Sequence, residues 1–334
     1  MHPSVSASPS AETASRRQVV VITGASSGIG RAAALRFAQD GADLVLAARG
    51  TEALAYVAAE CERQGARAIA VPTDVTDAQA QRRLAERAIE RFGGIDVWIN
   101  NVGVGAVGAF DQTPVEAHRR VIETNLIGHI NGAHAVVPHF RARGRGTLIN
   151  MASVGGWVPA PYAAAYIASK FGVRGFSESL RAELSALPGV HVCEVYPTFV
   201  DTPGAQHGAN YTGHRLRPAP PLLDTRRVAD ALVALARRPR PTVSIGSVAW
   251  PGRLAHAVAP NLVGRVTRWA ADRAFSHADG APVTDGNLFA PSQGHAVTGG
   301  YRAQQAPVTV PLAAAVLGAA GLACWWAWRG LARR

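Results

Sequence analysis

Five β-branched residues, 19–23, run straight into Gly24-Ala25-Ser26-Ser27-Gly28-Ile29-Gly30, and a stretch of helical spacing follows at 31–40. Three glycines at a strand-to-helix turn let the backbone approach a ligand closely, and the free N–H groups of the helix start attract an anion. Such a turn is a weak signal alone; its weight comes from its surroundings. Short β-branched runs at 44–49, 68–75, 95–100, 147–152, 190–196 and 242–247 alternate with helical stretches at 51–64, 77–92, 114–140, 162–186 and 225–238. That alternation predicts an α/β chain with a parallel sheet covered by helices on both faces.

Gly24, Ser26, Ser27, Gly28, Ile29 and Gly30 are the candidate cradle for a pyrophosphate. A carboxylate ending the second strand would hold both ribose hydroxyls of NAD; Ala48 stands there instead, and Arg49 follows. A guanidinium at that point can bind a 2′-phosphate, which favours NADP(H) over NAD(H). The competing reading makes Arg49 a solvated residue after a strand. Asp74-Val75, closing the third strand, can accept from the adenine amino group, and Asn101-Val102-Gly103, after the fourth, lie along the cofactor. All these positions are at C-terminal strand ends, where open α/β sheets bind ligands.

The cations carry a second signal. Of 34 basic residues 33 are Arg, and Lys170 is the single Lys. A guanidinium cannot replace a compact, titratable ammonium, so the one Lys marks a site where Arg fails. Tyr166 lies one helical turn before it, on the same face. A phenol with a pKa near 10 is a poor acid/base at neutral pH, and a neighbouring ammonium favours its ionised form. Ser153 ends the fifth strand, so its hydroxyl can face the carbonyl that Tyr166 protonates. Asn125, inside a helical stretch, is a poor interior residue unless its amide has work, such as holding a water behind Lys170. Tyr162 is a competing phenol, but its partner one turn on is Tyr166 and no cation.

Together these residues resemble the short-chain dehydrogenase/reductase family, over about residues 18–247. The glycine spacing and the set Ser153, Tyr166, Lys170 are similar to the family's shorter oxidoreductase branch. The resemblance implies a Rossmann-type doubly wound sheet of seven strands, a nicotinamide cofactor, and a catalytic tetrad of Asn125, Ser153, Tyr166 and Lys170. It adds Pro197, Val200 and Thr202 as cofactor residues, Thr202 meeting the nicotinamide carboxamide. Two positions depart from the family pattern: Val102 stands where Ala is usual, and Thr198 replaces the Gly after Pro197. The implied activity is hydride transfer between NADP(H) and a carbonyl or alcohol. An NAD-dependent alcohol dehydrogenase and a non-catalytic cofactor-binding regulator are the competing readings, the latter disfavoured because every catalytic position is filled.

The rest of the chain reads differently. Residues 1–17 suggest a disordered leader, 18–249 the catalytic domain, 250–305 an extension, 306–328 a transmembrane helix and 329–334 a basic tail. Residues 198–223 read as a long loop and 276–305 as irregular. Residues 311–328 are apolar throughout, end in a cluster of three Trp and precede Arg329; a bilayer core needs about 20 such residues. A buried core or oligomer helix is the other reading of that run. Residues 203–334 hold 15 Arg and 5 Asp, a surplus suited to anionic lipid. The expectation is a membrane-associated enzyme with its catalytic domain facing the cytoplasm. Its expected partners are a small, lipophilic carbonyl or alcohol, membrane lipid and, optionally, a second copy of the chain. Nucleic acid is not expected, because no aromatic-basic RNA motif is present. Cys61, Cys193 and Cys324 are too scattered for a disulfide framework, and four histidines on one helix form no ligand triad, so no metal is expected.

Overall fold

A computed structural model describes residues 16–246 and 249–304. The β-branched runs form strands because both faces of each are covered, leaving no room for alternation with polar residues. The first half of the chain gives β1 (Val19–Thr23), α1 (Gly28–Gln39), β2 (Asp43–Ala48), α2 (Thr51–Arg63), β3 (Arg67–Pro72), α3 (Ala78–Phe92), β4 (Val97–Asn100) and the short β5 (Ala106–Val107). The second half gives α4 (Val115–Ile122), α5 (Gly128–Arg143), β6 (Gly146–Met151), α6 (Ala164–Glu183), β7 (Val190–Pro197), α7 (Gly204–His207), β8 (Ala209–Asn210), α8 (Thr225–Arg237), β9 (Thr242–Ile245), α9 (Ala249–Val258) and α10 (Pro260–Ser276).

Seven strands pair in parallel in the order β3-β2-β1-β4-β6-β7-β9. The chain winds one way from β1 to β3 and the other way from β4 onward. The carboxyl ends of β1 and β4 therefore flank the switch point, where a doubly wound sheet opens a crevice. Phe37 of α1, Leu54 of α2 and Leu232 of α8 pack one face of the sheet. Leu84 of α3, Val136 and Phe140 of α5, and Leu184 pack the other.

The structure differs from the sequence reading in three places. The expected single helix over 114–140 is broken at Glu123–Ile127 by a wide π-helical turn between α4 and α5. The expected loop at 198–223 contains α7 and β8. The unexpected α9 opens Ala249-Trp250-Pro251-Gly252; Pro is tolerated in a first turn, where its missing N–H would have no intrahelical partner.

The membrane expectation is corrected. Residues 306–328 lie outside the described residues, as do 1–15 and the tail 329–334. Among the described residues no helix is long and apolar enough to cross a membrane. The longest, α6, carries Lys170, Arg174, Glu178 and Arg181, and α10 carries Arg265, Arg268, Asp272 and Arg273. The localisation on a membrane, with a domain facing the cytoplasm, is withdrawn.

Candidate active site

The crevice at the switch point is an open cleft lined by the glycine turn, Arg49, Asp74-Val75, Asn101-Val102-Gly103 and Thr202. The turn is built for close approach. A Cβ on Gly30 would stand 2.0 Å from the Gly24 carbonyl oxygen, and Gly28 has a φ of +54°. Only glycine fits either position. Asn101 fixes the turn from the neighbouring strand: its Nδ2 donates to the carbonyls of Thr23 (3.1 Å) and Gly24 (3.3 Å). Ser27 precedes α1 without capping it, so its hydroxyl is left to the cleft. Thr202 stands over Gly28, its Cβ 3.6 Å from where a side chain there would begin.

Gly30, Pro197 and Val200 do not line this cleft. Gly30 lies behind the turn, Pro197 ends β7, and Val200 bridges to Leu223. Of the two departures from the family pattern, Val102 packs against Gly24, with Cγ2 3.2 Å from that glycine's absent Cβ. Thr198 is buried against Gly246, where a Cβ would stand 2.2 Å from its hydroxyl oxygen. The side chain gained at one position is thus accommodated by its absence at the other.

Beside the cleft, α6 and the end of β6 bring Tyr166, Lys170 and Ser153 together. Gly103 joins the two regions: a side chain there would begin 3.6 Å from Lys170 Nζ and 3.9 Å from Asn125 Oδ1. Lys170 is buried and donates to the Met151 carbonyl (2.9 Å), and its Nζ sits 5.8 Å from the Tyr166 ring centre. Burial lowers Lys170 to about 8. Burial, reinforced by Lys170, lowers the adjacent His129 to about 3, so His129 is neutral and adds no second charge. Burial raises the Tyr166 phenol and the Ser153 hydroxyl opposes it; the net direction is upward, where the sequence argument expected a lowered phenol. Tyr162 turns away to hydrogen-bond Asp272 of α10, which raises its own phenol.

Asn125 sits in the π turn. Its Oδ1 accepts from Val104 N–H (2.8 Å), and its Nδ2 donates to Val104 O (2.9 Å) and Ser169 Oγ (3.1 Å). The amide thus bonds to protein groups at both ends, fastening the segment after β4 to α6. Single π turns recur at functional sites, and this one sets Asn125 facing that segment.

The sequence reading missed Arg120, Asn287 and Ser292. Arg120 donates to Asp74 (2.8 Å) and Thr76 Oγ1 (3.0 Å), so Asp74 is held by a cation as well as by Thr76. Thr76 and Arg120 together hold the Asp74 carboxyl below its ordinary range against the opposing effect of burial. Asn287 and Ser292 enter the cleft wall from the far end of the chain. The only sequence signal for them is the apolar pair Leu288-Phe289 in a stretch rich in Gly, Pro and polar residues.

The fold and the cleft belong to an α/β oxidoreductase class. The short chain dehydrogenase family profile matches residues 18–210, and the chain belongs to the short-chain dehydrogenase/reductase family. It is 37% identical over 256 residues to the uncharacterized oxidoreductase YxnA of Bacillus subtilis, covering 75% of this chain and 71% of that one. It is 43% identical over 192 residues to a 1-deoxy-11-beta-hydroxypentalenate dehydrogenase of Streptomyces exfoliatus, covering 57% and 70%. Among solved structures it resembles an alcohol dehydrogenase from the archaeon Thermococcus sibiricus complexed with 5-hydroxy-NADP. That match has a TM-score of 0.61, 29% identity, and covers 70% of this chain and 97% of the other. It also resembles a metagenomic short-chain oxidoreductase in complex with NADP, with a TM-score of 0.59, 30% identity, and 68% and 96% covered.

Proposed function

We propose that the protein is an NADP(H)-dependent carbonyl reductase or alcohol dehydrogenase. The observation that carries this reading is the buried Lys170 beneath Tyr166, one residue away from the glycine-cradled cleft through Gly103. A dinucleotide suits the cleft: the turn admits no side chain at Gly30, and guanidinium groups of Arg49 and Arg120 stand at the adenosine end. NADP(H) is favoured over NAD(H) by Arg49 after β2, with Ala48 where a ribose-binding carboxylate would be. The two similar solved structures were obtained with NADP and 5-hydroxy-NADP.

The nicotinamide, when bound, supplies or accepts the hydride. The chain's own part is proton transfer and positioning. The Tyr166 phenol, raised by burial, keeps its proton at neutral pH and can give it to a carbonyl oxygen. Ser153 presents a second hydroxyl to the same oxygen. Lys170, still mostly charged below its pKa of about 8, stabilises the phenolate left behind. Asn125 holds the segment bearing Gly103 and Val104 in place. The substrate is a small, lipophilic carbonyl or its alcohol.

The test is transfer of deuteride from 4-deuterated NADPH to a panel of ketones and aldehydes, read by mass spectrometry of the alcohols. A deuterated alcohol is expected from at least one of them. Binding of NADPH without turnover across the panel would favour the non-catalytic regulator, and binding of neither NADPH nor NADH would end the reading altogether.

A further inference from the structure

Residues 277–301 form no helix or named strand, yet they return to the cofactor cleft as a ribbon across its adenosine end. We propose that this ribbon completes the cofactor site: Asn287 and Ser292 hydrogen-bond the adenosine half of the dinucleotide, and Arg49 and Arg120 anchor the ribbon to the sheet. The inference rests on the nicotinamide-cofactor reading above and assigns it a part outside the segment matched by the family profile.

The anchoring is specific. Leu288 is fully buried among Val104, Ala117, Val121 and Ala209. On either side of it, backbone carbonyls turn toward the cations of the cleft. Arg49 donates to the carbonyls of Asn287 (2.6 Å), Leu288 (3.1 Å) and Ala290 (2.8 Å), and Arg120 Nε donates to that of Leu288 (3.1 Å). Further along, the Ala296 carbonyl accepts from Gly28 N–H (2.9 Å) at the glycine turn itself. The ribbon then ends on the buried Asp201, whose carboxylate accepts from the N–H groups of Gly299 (3.1 Å), Tyr301 (3.0 Å) and Arg302 (3.2 Å).

Between these anchors lies an unspent polar group. Asn287 Nδ2 donates to Ser292 Oγ (2.9 Å), and the Asn287 N–H donates to the His207 carbonyl (2.7 Å). Asn287 Oδ1 is shielded from solvent and has no partner among the described residues. A shielded amide oxygen is costly unless something donates to it. Adenosine brings suitable donors, an exocyclic amine and ribose hydroxyls. The acceptor first assigned to that amine, Asp74, already receives Thr76 and Arg120. Among the described residues that line the cleft, Thr124 Oγ1 and Asn287 Oδ1 are shielded and without a partner, and Asn287 is the one that the ribbon supplies.

The test uses the full chain and does not depend on turnover. Isothermal titration of NADPH, NADH and adenosine 2′-monophosphate is compared for wild type, Asn287→Ala and Ser292→Ala. Asn287→Ala is expected to weaken all three about fivefold or more, because the contact is to the adenosine half they share. Ser292→Ala is expected to lose about twofold and carries the test if Asn287→Ala fails to fold. Chymotryptic cleavage after the exposed Phe289 supplies a second readout: bound NADPH should slow it in wild type. Unchanged affinity in both variants, or cleavage at Phe289 that NADPH leaves unslowed, overturns the proposal while the cofactor reading stands. A wild type that binds none of the three ligands takes down the cofactor reading, and this inference with it.

Discussion

The cleft has two walls, and different forces hold them. The strand wall is apolar burial: Val19, Val20, Val21, Ile22 and Thr23 are each at most 1% exposed, and the helices behind them bury Phe37 and Leu54 as completely. The ribbon wall has a single buried residue, Leu288, between residues 277 and 303; the rest is held by hydrogen bonds, among them backbone pairs to Gly28, His207 and Asn210 and the charged ones from guanidinium to carbonyl and from amide to carboxylate. Burial is spread over many contacts and tolerates the loss of one. The polar wall concentrates its attachment in Arg49, Arg120 and Asp201, each bond to a charged group contributing about 1.5–3 kcal/mol. The strand wall should thus fail globally and late, and the ribbon locally and early.

The largest expected effect is on the strand side and concerns chemistry. Tyr166→Phe keeps the ring and removes the proton, so turnover should fall at least about a hundredfold while NADPH binding survives. Steady-state rates and titration check the two halves together; retained turnover would reassign the acid. The next effect compares the walls through the same chemical change. Leu54→Ala and Leu288→Ala each open a cavity at a fully buried leucine, a change that costs about 2–5 kcal/mol. Leu54→Ala should lower the free energy of global unfolding by that amount. Leu288→Ala should show in hydrogen exchange, as faster exchange confined to the ribbon, with a smaller change in the global midpoint. Equal global losses would mean that the two walls form one cooperative unit.

The two walls were not equally legible in the sequence. The strands were readable because β-branched runs bounded by glycine report a two-sided burial that is local in the chain. Tyr166 and Lys170 were readable because one helical turn separates them. The break in the helix around Asn125 was not, since it depends on bonds from the Asn125 amide to Val104, twenty-one residues away. Arg120 was lost among the charges of an amphipathic helix. The ribbon has no period at all, and its partner Arg49 is more than two hundred residues distant. Arg49, expected from the sequence to meet a 2′-phosphate, donates to three carbonyls of the ribbon. Arg49→Ala should therefore weaken NADPH about tenfold, through loss of both phosphate contact and ribbon anchor, and weaken NADH as well, though less. A contact to the 2′-phosphate alone predicts a nearly unchanged NADH affinity. Paired titrations decide between the two, and an NADH affinity left intact would return Arg49 to the phosphate alone.

The smallest expected effect lies at the far end of the ribbon, where the polar wall meets solvent. Arg302 Nη1 donates to Asp224 (2.6 Å), which also caps α8 by accepting from Arg226 N–H (2.8 Å). The Arg226 N–H, and after it the Arg302 charge, lower the Asp224 carboxyl from its ordinary 3.8 against the opposing effect of burial. A carboxyl lowered on folding contributes stability above its unfolded pKa and loses it as pH falls through the folded value. Arg302 is 46% exposed, so the pair is screened, and Arg302→Ala should cost at most about 1 kcal/mol at neutral pH and low salt. That cost should shrink toward zero in about 1 M salt, where the screening length is near 3 Å, and again at pH values below the folded pKa of Asp224. Amide exchange at Gly299, Tyr301 and Arg302 reads the effect where it arises, because these groups hang on Asp201. If their exchange is as slow in Arg302→Ala as in wild type, Asp201 alone closes the ribbon, and the attachment of this wall is more concentrated than the ion pair suggests.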